Sequence, residues 1–222
     1  MTEHLIIFAK APEAGRVKTR LCLPPTDAAS LHSAFIVDVL NRHERKGRKV
    51  TLWRGGDCRH PFWARLDVPQ RDQPDGNLGD RMRFALRETM RSADNARVVI
   101  LGTDSPSLPP QFVDRAFSAL NDVPLVIGPA CDGGYYLVAM RESIAPIFPG
   151  EMPWGGETVL STTLRIANEH EIPYVLLDFW YDIDRPADLE FLRTHLQALS
   201  AAQIPLPQHT LACLEAWELA DG

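Results

Sequence analysis

Short runs of branched apolar residues alternate along the chain with longer stretches in which apolar residues recur every three or four positions. The short runs predict buried strands and the longer stretches predict amphipathic helices. Alternation of the two is typical of proteins in which helices cover both faces of a sheet. We therefore predict an α/β fold, a three-layer α/β/α sandwich with a mostly parallel, mixed sheet.

The pattern predicts six strands, at residues 5–9, 50–53, 98–101, 125–127, 135–140 and 174–177. Helices are predicted at residues 26–46, where Gly47 is expected to end the helix, at 157–170 and at 186–199, as well as around Met82 to Met90 and from Pro110 to Leu120. Pro205 and Pro207 indicate a loosely attached tail, with a short helix around 211–219. We expect one domain at residues 1–200 and a tail at 201–222, packed on the domain or trailing from it.

The composition narrows the class of protein. The chain has 222 residues, of which 45% are hydrophobic, enough for one core, and a net charge of −6. Binding to DNA or RNA usually needs a basic surface, so we expect no nucleic-acid partner. No apolar run approaches 18 residues and the first ends at Ala9, so we expect a cytoplasmic protein without a membrane partner. The four cysteines form no C-x-x-C pair, which argues against a zinc cluster and a compact disulfide framework.

Charge is distributed unevenly. Residues 1–120 contain 19 basic and 14 acidic side chains, whereas residues 121–222 contain 4 and 15. This asymmetry indicates an anion-binding part joined to a part that supplies carboxylates, although chance surface composition explains it equally well.

Ligands of open α/β sheets bind beyond the carboxyl ends of the strands, so we expect a binding site in the loops that follow strands. The loop after the first strand, residues 10–21, combines Gly15 with lysines and arginines, a composition that suits phosphate. It is not a P-loop, because only one glycine precedes Lys18-Thr19, and the chain contains no G-x-G-x-x-G. A solvated basic loop is an equally good interpretation.

Asp104 directly follows the apolar strand at 98–101 and precedes Ser105-Pro106. A carboxylate in this position can hold a hard cation whose shell is completed by substrate phosphates. The alternative is an aspartate that caps a helix or closes a turn, since prolines follow.

Asp182 and Asp184 flank Ile183 ahead of the helix at 186–199. We expect their side chains to point to opposite sides of an extended segment, so that only one faces the site. The other is then expected to cap the helix that begins at Pro186.

Two glycine-containing turns complete the set. Asp132-Gly133-Gly134-Tyr135-Tyr136 allows a ligand to approach the backbone closely, although a plain hairpin turn explains it equally well. The segment 76–81, which enters a helix, adds amide donors or an arginine to the same pocket, or is simply a loop with a helix cap.

Together these motifs resemble those of one family. Lys-Ala-Pro-x-x-Gly-x-x-Lys-Thr-Arg-Leu at 10–21, Leu-Gly-Thr-Asp-Ser-Pro at 101–106, Gly-Pro-Ala-x-Asp-Gly-Gly-Tyr-Tyr at 128–136 and Asp-Ile-Asp-x-Pro-x-Asp-Leu at 182–189 occur in the order of the DUF2064 family of GT-A-fold transferases. The resemblance spans residues 4 to about 192. That family is similar to nucleotide-diphospho-sugar transferases and to guanylyltransferases of the phospholactate and molybdenum-cofactor type.

The resemblance implies roles for particular residues. It implies that Lys10, Gly15, Lys18 and Arg20 hold the nucleotide phosphates and that the segment 132–136 faces the transferred group, with Gly133, Gly134 and Tyr135 binding the substrate. From their positions in the sequence we also expect Thr19, Gly79 and Arg81 to bind the nucleotide, and Asp104 and Asp132 to be catalytic. Mg²⁺ or Mn²⁺ would be held by Asp104 and Asp184, with Asp182 as the alternative second ligand. One departure is Trp154-Gly155-Gly156, where a Ser or Thr is expected after the tryptophan, so acceptor contacts at this position are not carried over.

We expect a magnesium-dependent transferase with a nucleotide or nucleotide-sugar and a small-molecule acceptor as partners. Glycosyl transfer from a nucleoside diphosphate-sugar is the first expectation. Nucleotidyl transfer with release of pyrophosphate is the alternative within the same class, and a nucleotide-binding regulatory module without turnover is the alternative from another class.

Overall fold

The computed structural model describes residues 2–93 and 95–220. Over these residues the strands β1 to β7 are Thr2–Lys10, Arg48–Gly55, Gln70–Asp72, Ala96–Leu101, Leu125–Pro129, Tyr135–Met140 and Tyr174–Leu176. The α-helices α1 to α6 are Pro25–His43, Leu78–Arg91, Pro110–Ala119, Val159–Glu169, Pro186–Ala201 and Gln208–Ala220.

The strands form one sheet in the order β3-β2-β1-β4-β6-β5-β7, in which β6 is antiparallel to both of its neighbours and the remaining pairs are parallel. The prediction of an α/β fold with a mostly parallel, mixed sheet is confirmed. Because β6 runs against its neighbours, its first residue Tyr135 lies at the edge where β4 and β5 end. The loops after β1 and β4 and the β5–β6 hairpin therefore meet at one edge of the sheet.

Alternating side chains of β1 divide the core between the two faces of the sheet, as expected for a pleated strand. Leu5 and Ile7 pack with Ile36 of α1 and Phe117 of α3. Ile6, which points the other way, packs with residues of α2 and α4. These two cores make the three layers.

The six predicted strands and the five longer predicted helices are confirmed, with boundaries shifted by a few residues. The first helix ends at His43, before Gly47, which instead has φ +91° in the turn that leads into β2. Strand β3 lies in a segment that was expected to be a loop. It has only three residues, too few for its alternation to be read from the sequence.

The described residues after 200 pack on the domain, one of the two expected arrangements, and do not form a loosely attached tail; the short helix predicted around 211–219 is α6. The buried carboxylate of Asp38 in α1 accepts hydrogen bonds from the backbone N–H groups of His209 and Thr210, at 3.1 and 2.7 Å, and from the Thr210 hydroxyl at 2.7 Å. It thereby satisfies donors at the start of α6 that have no partner within their own helix. Leu214 of α6 is also buried.

A third apolar cluster joins α1, α5 and α6 to two loops at the carboxyl edge of the sheet. It contains Leu21 from the loop after β1 and Ile183 from the segment before α5. The rest of the cluster consists of residues Leu31, Phe35, Leu189, Leu192, Leu196 and Leu214. The terminal helices thus form part of the support for that edge.

Within residues 2–93 and 95–220, no helix is long and apolar enough to cross a membrane. All four cysteines, Cys22, Cys58, Cys131 and Cys213, are free thiols.

The buried side chain of His43 generates a prediction about stability. Neither of its two ring nitrogens has a hydrogen-bond partner among the residues that the structure describes, and burial, ahead of the charges of Arg42 and Arg48, lowers its pKa to about 3. The unfolded chain binds this proton more readily than the folded protein, because the unfolded pKa is 6.5. The contribution of neutral His43 to stability is therefore complete above pH 6.5 and falls by up to about 1.4 kcal/mol per pH unit between pH 6.5 and pH 3.

His43→Leu should remove this pH dependence, so the free energy of unfolding of the variant should fall less steeply with acidification than that of the wild type. Urea unfolding of both proteins at pH 7.5, 6, 5 and 4 measures the difference. Parallel curves would show that His43 does not titrate in this way.

Candidate active site

A cavity of about 710 Å³ lies at the carboxyl edge of the sheet, where the predicted site loops meet. Of the residues predicted for the site, its wall includes Lys10, Lys18, Thr19, Arg20, Arg81, Asp104, Asp132, Gly134, Tyr135, Asp182 and Asp184. The basic loop after β1 forms one part of the wall and the carboxylates form another. The structure therefore brings the four motifs together, while the roles of their residues stay predictions.

A larger groove of about 1170 Å³ lies near the opposite ends of β1 and β2, beside His4, Lys49 and Arg71. Volume alone would favour this groove. It contains none of the predicted site residues, and ligands of open α/β sheets collect at the carboxyl edge. The smaller cavity is therefore the candidate site.

Lys18 connects the basic loop to the carboxylates. It begins a 3₁₀ turn, Thr19–Leu21, from a left-handed backbone conformation with φ 49°. Its ammonium lies 2.6 Å from Asp104 Oδ1 and 3.0 Å from Asp184 Oδ1, and donates to the Ile183 carbonyl at 2.5 Å. The Lys18 side chain is only 4% exposed, whereas those of Asp104 and Asp184 are 48% and 37% exposed. The carboxylates therefore face the cavity while the ammonium lies beneath them.

The electrostatic interactions in this cluster favour the charged forms of both Lys18 and Asp104. Burial alone would lower the pKa of Lys18, but Asp104 and Asp184 outweigh it and raise the pKa. The depth of the site would raise the pKa of Asp104, but Lys18, followed by His32, holds it below its ordinary value. Asp104 and Lys18 therefore form a mutually stabilised ion pair. The Asp104 carboxylate does not cap a helix, which was one alternative interpretation of this residue.

Both Asp182 and Asp184 line the cavity, so the expectation that only one faces it is wrong. Residues two apart in an extended segment share a side, because side chains alternate. The intervening Ile183 points into the core with 0% exposure, and its N–H donates to the backbone oxygen of Asp104 at 2.9 Å.

The expected helix cap is also corrected. Asp188, on the first turn of α5, accepts hydrogen bonds from the backbone N–H groups of Asp184 and Arg185, at 3.0 and 2.7 Å. Arg185 occupies the N-cap position of α5, so neither Asp182 nor Asp184 caps this helix, and both line the cavity.

Asp182 differs from Asp184 in its surroundings. Ser105 Oγ lies 3.0 Å from Asp182 Oδ1, and burial, ahead of repulsion from Asp104 and Asp132, raises the pKa of Asp182 to about 7. Asp184, in contrast, is paired with Lys18. Asp184 is therefore the better candidate for a second charged ligand, and Asp182 is a carboxyl group that is easily neutralised.

The loop at 130–134 is a hairpin connection, as one interpretation of Asp132-Gly133-Gly134 predicts, and it also forms part of the cavity wall. Close approach of a ligand to its backbone stays a prediction. It joins the antiparallel strands β5 and β6. Asp132 Oδ1 accepts from the Gly134 N–H at 2.8 Å, which fixes the turn and leaves the second carboxylate oxygen free of this bond. Asp132 and Gly134 line the cavity, whereas Gly133 turns away from it.

Three glycines predicted to contact ligands lie outside the cavity wall, and the structure gives each a different reason to be glycine. Gly15 has φ +78° in an exposed turn of the basic loop. A Cβ on Gly79 would lie 2.4 Å from Trp154 Cζ2, so Gly79 makes room for the tryptophan ring. Gly133 has φ +89°, and a Cβ there would lie 2.2 Å from the Glu157 carbonyl oxygen.

Two side chains that the sequence did not single out for the site, those of His32 and Gln73, also line the cavity, together with Trp154 of the Trp154-Gly155-Gly156 segment. His32 Nε2 lies 3.1 Å from the Lys10 carbonyl oxygen, and its buried Nδ1 has no hydrogen-bond partner among the described residues. Trp154 places an unpartnered Nε1 in the same wall, and Gln73 also lines it. His32 lies on the apolar face of α1 and looks like a core residue in the sequence, so only its contact with the end of β1 reveals it.

The carboxylates of Asp104 and Asp184 suit Mg²⁺, a divalent cation that needs few protein ligands. Within residues 2–93 and 95–220, no group of three or more His, Cys, Asp and Glu is arranged to hold a metal by itself. Mg²⁺ usually binds through one or two carboxylates together with waters and substrate phosphates rather than in an all-protein cage. Asp104 and Asp184 converge on one point and meet that requirement, although the Lys18 ammonium lies at this point.

The fold is that of a nucleotide-diphospho-sugar transferase-like domain. A protein of Desulfovibrio desulfuricans G20 that is provisionally named a nucleotide-diphospho-sugar transferase has 29% identity and a TM-score of 0.87, over 99% of this chain and 96% of that one. The fold is shared by a nucleotidyl transferase from Methanothermobacter, with 16% identity and a TM-score of 0.55 over 88% and 98% of the two chains. It is also shared by a CMP:2-keto-3-deoxy-manno-octonic acid synthetase complexed with CTP, with 15% identity and a TM-score of 0.57 over 92% and 100%.

Residues 7–156 match the model of the family described as uncharacterized proteins conserved in bacteria, DUF2064. The chain belongs to the DUF2064 family, as its motifs predict. Among curated proteins none matches the chain significantly.

The close approach at Gly133 generates a prediction. Gly133→Ala should lower the free energy of unfolding by at least about 2 kcal/mol, because the methyl group meets a backbone carbonyl and the residue keeps a positive φ. Gly150→Ala is the matched control, since a Cβ there meets nothing within 4 Å. Urea unfolding of the two variants measures the difference, and equal stabilities would show that the hairpin does not pack on Glu157 as described.

Proposed function

We propose that the protein is a transferase that uses a nucleotide-activated donor, with glycosyl transfer from a nucleoside diphosphate-sugar to a small-molecule acceptor as the reaction. The observation that carries the proposal is a single cavity at the carboxyl edge, in which a basic loop faces a group of carboxylates. Charged donors on one wall suit the diphosphate, and carboxylates on the other suit a cation that neutralises it. The similarity to the Desulfovibrio protein that is provisionally named a nucleotide-diphospho-sugar transferase supports the same class.

Lys10 and Arg20 are proposed to bind the phosphates. Both side chains line the cavity, and within the described part of the chain neither forms an ion pair or a side-chain hydrogen bond. Their charges are therefore available to an anion, unlike that of Lys18, which already faces two carboxylates. Thr19, between them and also in the wall, adds a hydroxyl donor.

Asp104 and Asp184 are proposed to hold Mg²⁺ or Mn²⁺ together with waters and phosphate oxygens. When bound, the metal would stabilise the negative charge that develops on the leaving diphosphate. The protein's own part is to place these carboxylates on adjacent segments, held by the hydrogen bond from the Ile183 N–H to the Asp104 carbonyl. We also propose that the transferase domain comprises residues 1–200, with α6 packed upon it.

Asp132 is proposed as the general base for an acceptor hydroxyl. It lies in the cavity wall on the β5–β6 hairpin, beside Gly134 and Tyr135, where a sugar could approach the backbone. Its hydrogen bond to the Gly134 N–H fixes the carboxylate in place. Asp132 and Tyr135 thus mark the part of the cavity proposed for the transferred group and the acceptor.

Nucleotidyl transfer is the second candidate, and the number of basic side chains favours it. Lys10, Arg16, Arg20 and Arg81 all line the cavity, more positive charge than a diphosphate needs and suited to a triphosphate. Attack by an anionic acceptor at the α-phosphorus would release pyrophosphate and needs no general base. The two reactions therefore differ in their dependence on Asp132.

The reaction type is tested by incubating the protein with magnesium and separate pools of nucleotide-sugars and nucleoside triphosphates, each with a panel of small acceptors. We expect a nucleoside diphosphate from a nucleotide-sugar, and loss of this activity in Asp132→Asn without loss of nucleotide binding. Asp178→Asn, an exposed carboxylate paired with Arg115, is the control. Pyrophosphate release that persists in Asp132→Asn would establish the second candidate instead, and binding without any product would indicate a regulatory module.

Phosphate binding by the basic loop is tested with Arg20→Gln. A hydrogen bond to a charged group contributes about 1.5 to 3 kcal/mol, so nucleotide affinity should fall by about 10- to 150-fold. Arg165→Gln is the control, because Arg165 is exposed on α4 and paired with Glu169. The nucleotide is chosen as the one that raises the melting temperature of the wild type most, and calorimetric titration then measures its affinity for each variant. An unchanged affinity in Arg20→Gln would remove this residue from the site.

A further inference from the structure

The ammonium of Lys18 has no hydrogen-bond donor left over. An ammonium has three N–H donors, and those of Lys18 face the Ile183 carbonyl, Asp104 Oδ1 and Asp184 Oδ1. The side chain is 4% exposed and packs over the Phe35 ring, with 5.5 Å between Nζ and the ring centroid. A phosphate in the cavity therefore cannot contact Lys18 unless one of these contacts is given up.

The Lys18 ammonium lies where a metal ion bound by Asp104 and Asp184 would lie. Asp104 and Asp184 direct oxygens at Nζ from distances of 2.6 and 3.0 Å. A magnesium ion bound by the same two oxygens would lie about 2.0–2.1 Å from each, close to where Nζ now lies. Two cations cannot occupy that space, and their mutual repulsion at such a distance would be large.

We infer that Lys18 is an internal cation that balances Asp104 and Asp184 in the ligand-free protein and leaves them when a divalent metal binds, its ammonium then being accepted by the phosphates of the nucleotide. The inference rests on the proposed function, since it assigns Lys18 a role within that site. It follows that metal and nucleotide bind cooperatively. Metal alone must displace Lys18 from its two counter-charges, whereas a nucleotide that binds with the metal supplies new ones.

The neighbouring cations mark Lys18 as the residue that moves. Lys10 and Arg20 already face the cavity, and neither forms an ion pair within the described part of the chain. Lys18 alone of the loop's lysines is paired with carboxylates on two distant segments. Its backbone is left-handed, with φ 49°, a conformation uncommon for residues other than glycine.

The test measures the binding of Mn²⁺ alone, counted by electron paramagnetic resonance of the free ion, without any nucleotide. Lys18→Gln removes the internal charge but keeps a hydrogen-bond donor, and it should bind Mn²⁺ about tenfold or more tightly than the wild type, a size typical of coupling between two ligands. Lys10→Gln is the matched control, because it removes a charge from the same cavity without releasing a carboxylate, and it should change Mn²⁺ affinity by much less. Equal or weaker Mn²⁺ binding in Lys18→Gln than in Lys10→Gln would overturn the inference.

A second measurement uses the wild-type protein, in case Lys18→Gln does not fold. The chain has four lysines, so acetylation by a small reagent can be followed at each by mass spectrometry. Lys18 should label slowly and Lys10 quickly in the metal-free protein, and Mn²⁺ alone should raise the labelling of Lys18 as it saturates the site. Lys18 that stays protected up to saturating Mn²⁺ would contradict the inference.

The outcomes separate this inference from the proposed function. If magnesium and nucleotides stabilise the wild type together but Lys18→Gln does not bind Mn²⁺ more tightly, the function stands and the internal cation is rejected. If Lys18→Gln binds Mn²⁺ more tightly but neither nucleotides nor nucleotide-sugars stabilise the protein with magnesium, the internal cation stands and the proposed function is rejected.

Discussion

One ammonium group holds together three segments that are far apart in the sequence. Lys18 follows β1, Asp104 follows β4, and Asp184 precedes α5, and the contacts of 2.6 and 3.0 Å join them at the carboxyl edge of the sheet. Without that charge the two carboxylates would repel each other in a partly enclosed cavity. The other residues at this edge either pack against the segments that carry the ion pair or line the cavity around it.

The support comes largely from the last third of the chain. Ile183, between the two aspartates, is buried with Leu21 and with leucines of α5 and α6, and Asp38 fastens the start of α6 to α1. The family model covers residues 7–156, so these contacts lie beyond it. The structure nevertheless makes them part of the same edge, because movement of α5 or α6 would be transmitted to the segment that carries Asp184.

The sequence predicts the fold well, because long apolar strands and periodic helices depend on local pattern. It also predicts that the loops after β1 and β4 and the hairpin at 130–134 share one cavity, since the carboxyl ends of parallel strands lie at one edge. It does not predict where Lys18 points, which depends on contacts with residues more than 80 positions away. Gly79 and Gly133 show the same limit: their motifs indicate ligand contact, but tertiary packing against Trp154 and Glu157 explains them. The shared orientation of Asp182 and Asp184, in contrast, follows from local geometry, because residues two apart in an extended segment lie on the same side.

A crystal structure of the protein with Mn²⁺ and a nucleotide that stabilises it tests most directly whether the carboxyl edge is a nucleotide site, with the metal located by its anomalous scattering. We expect the metal between Asp104 and Asp184 and the phosphates against Lys10 and Arg20. Metal and phosphates bound in the larger groove beside Lys49 and Arg71, with the carboxyl-edge cavity left empty, would contradict this account.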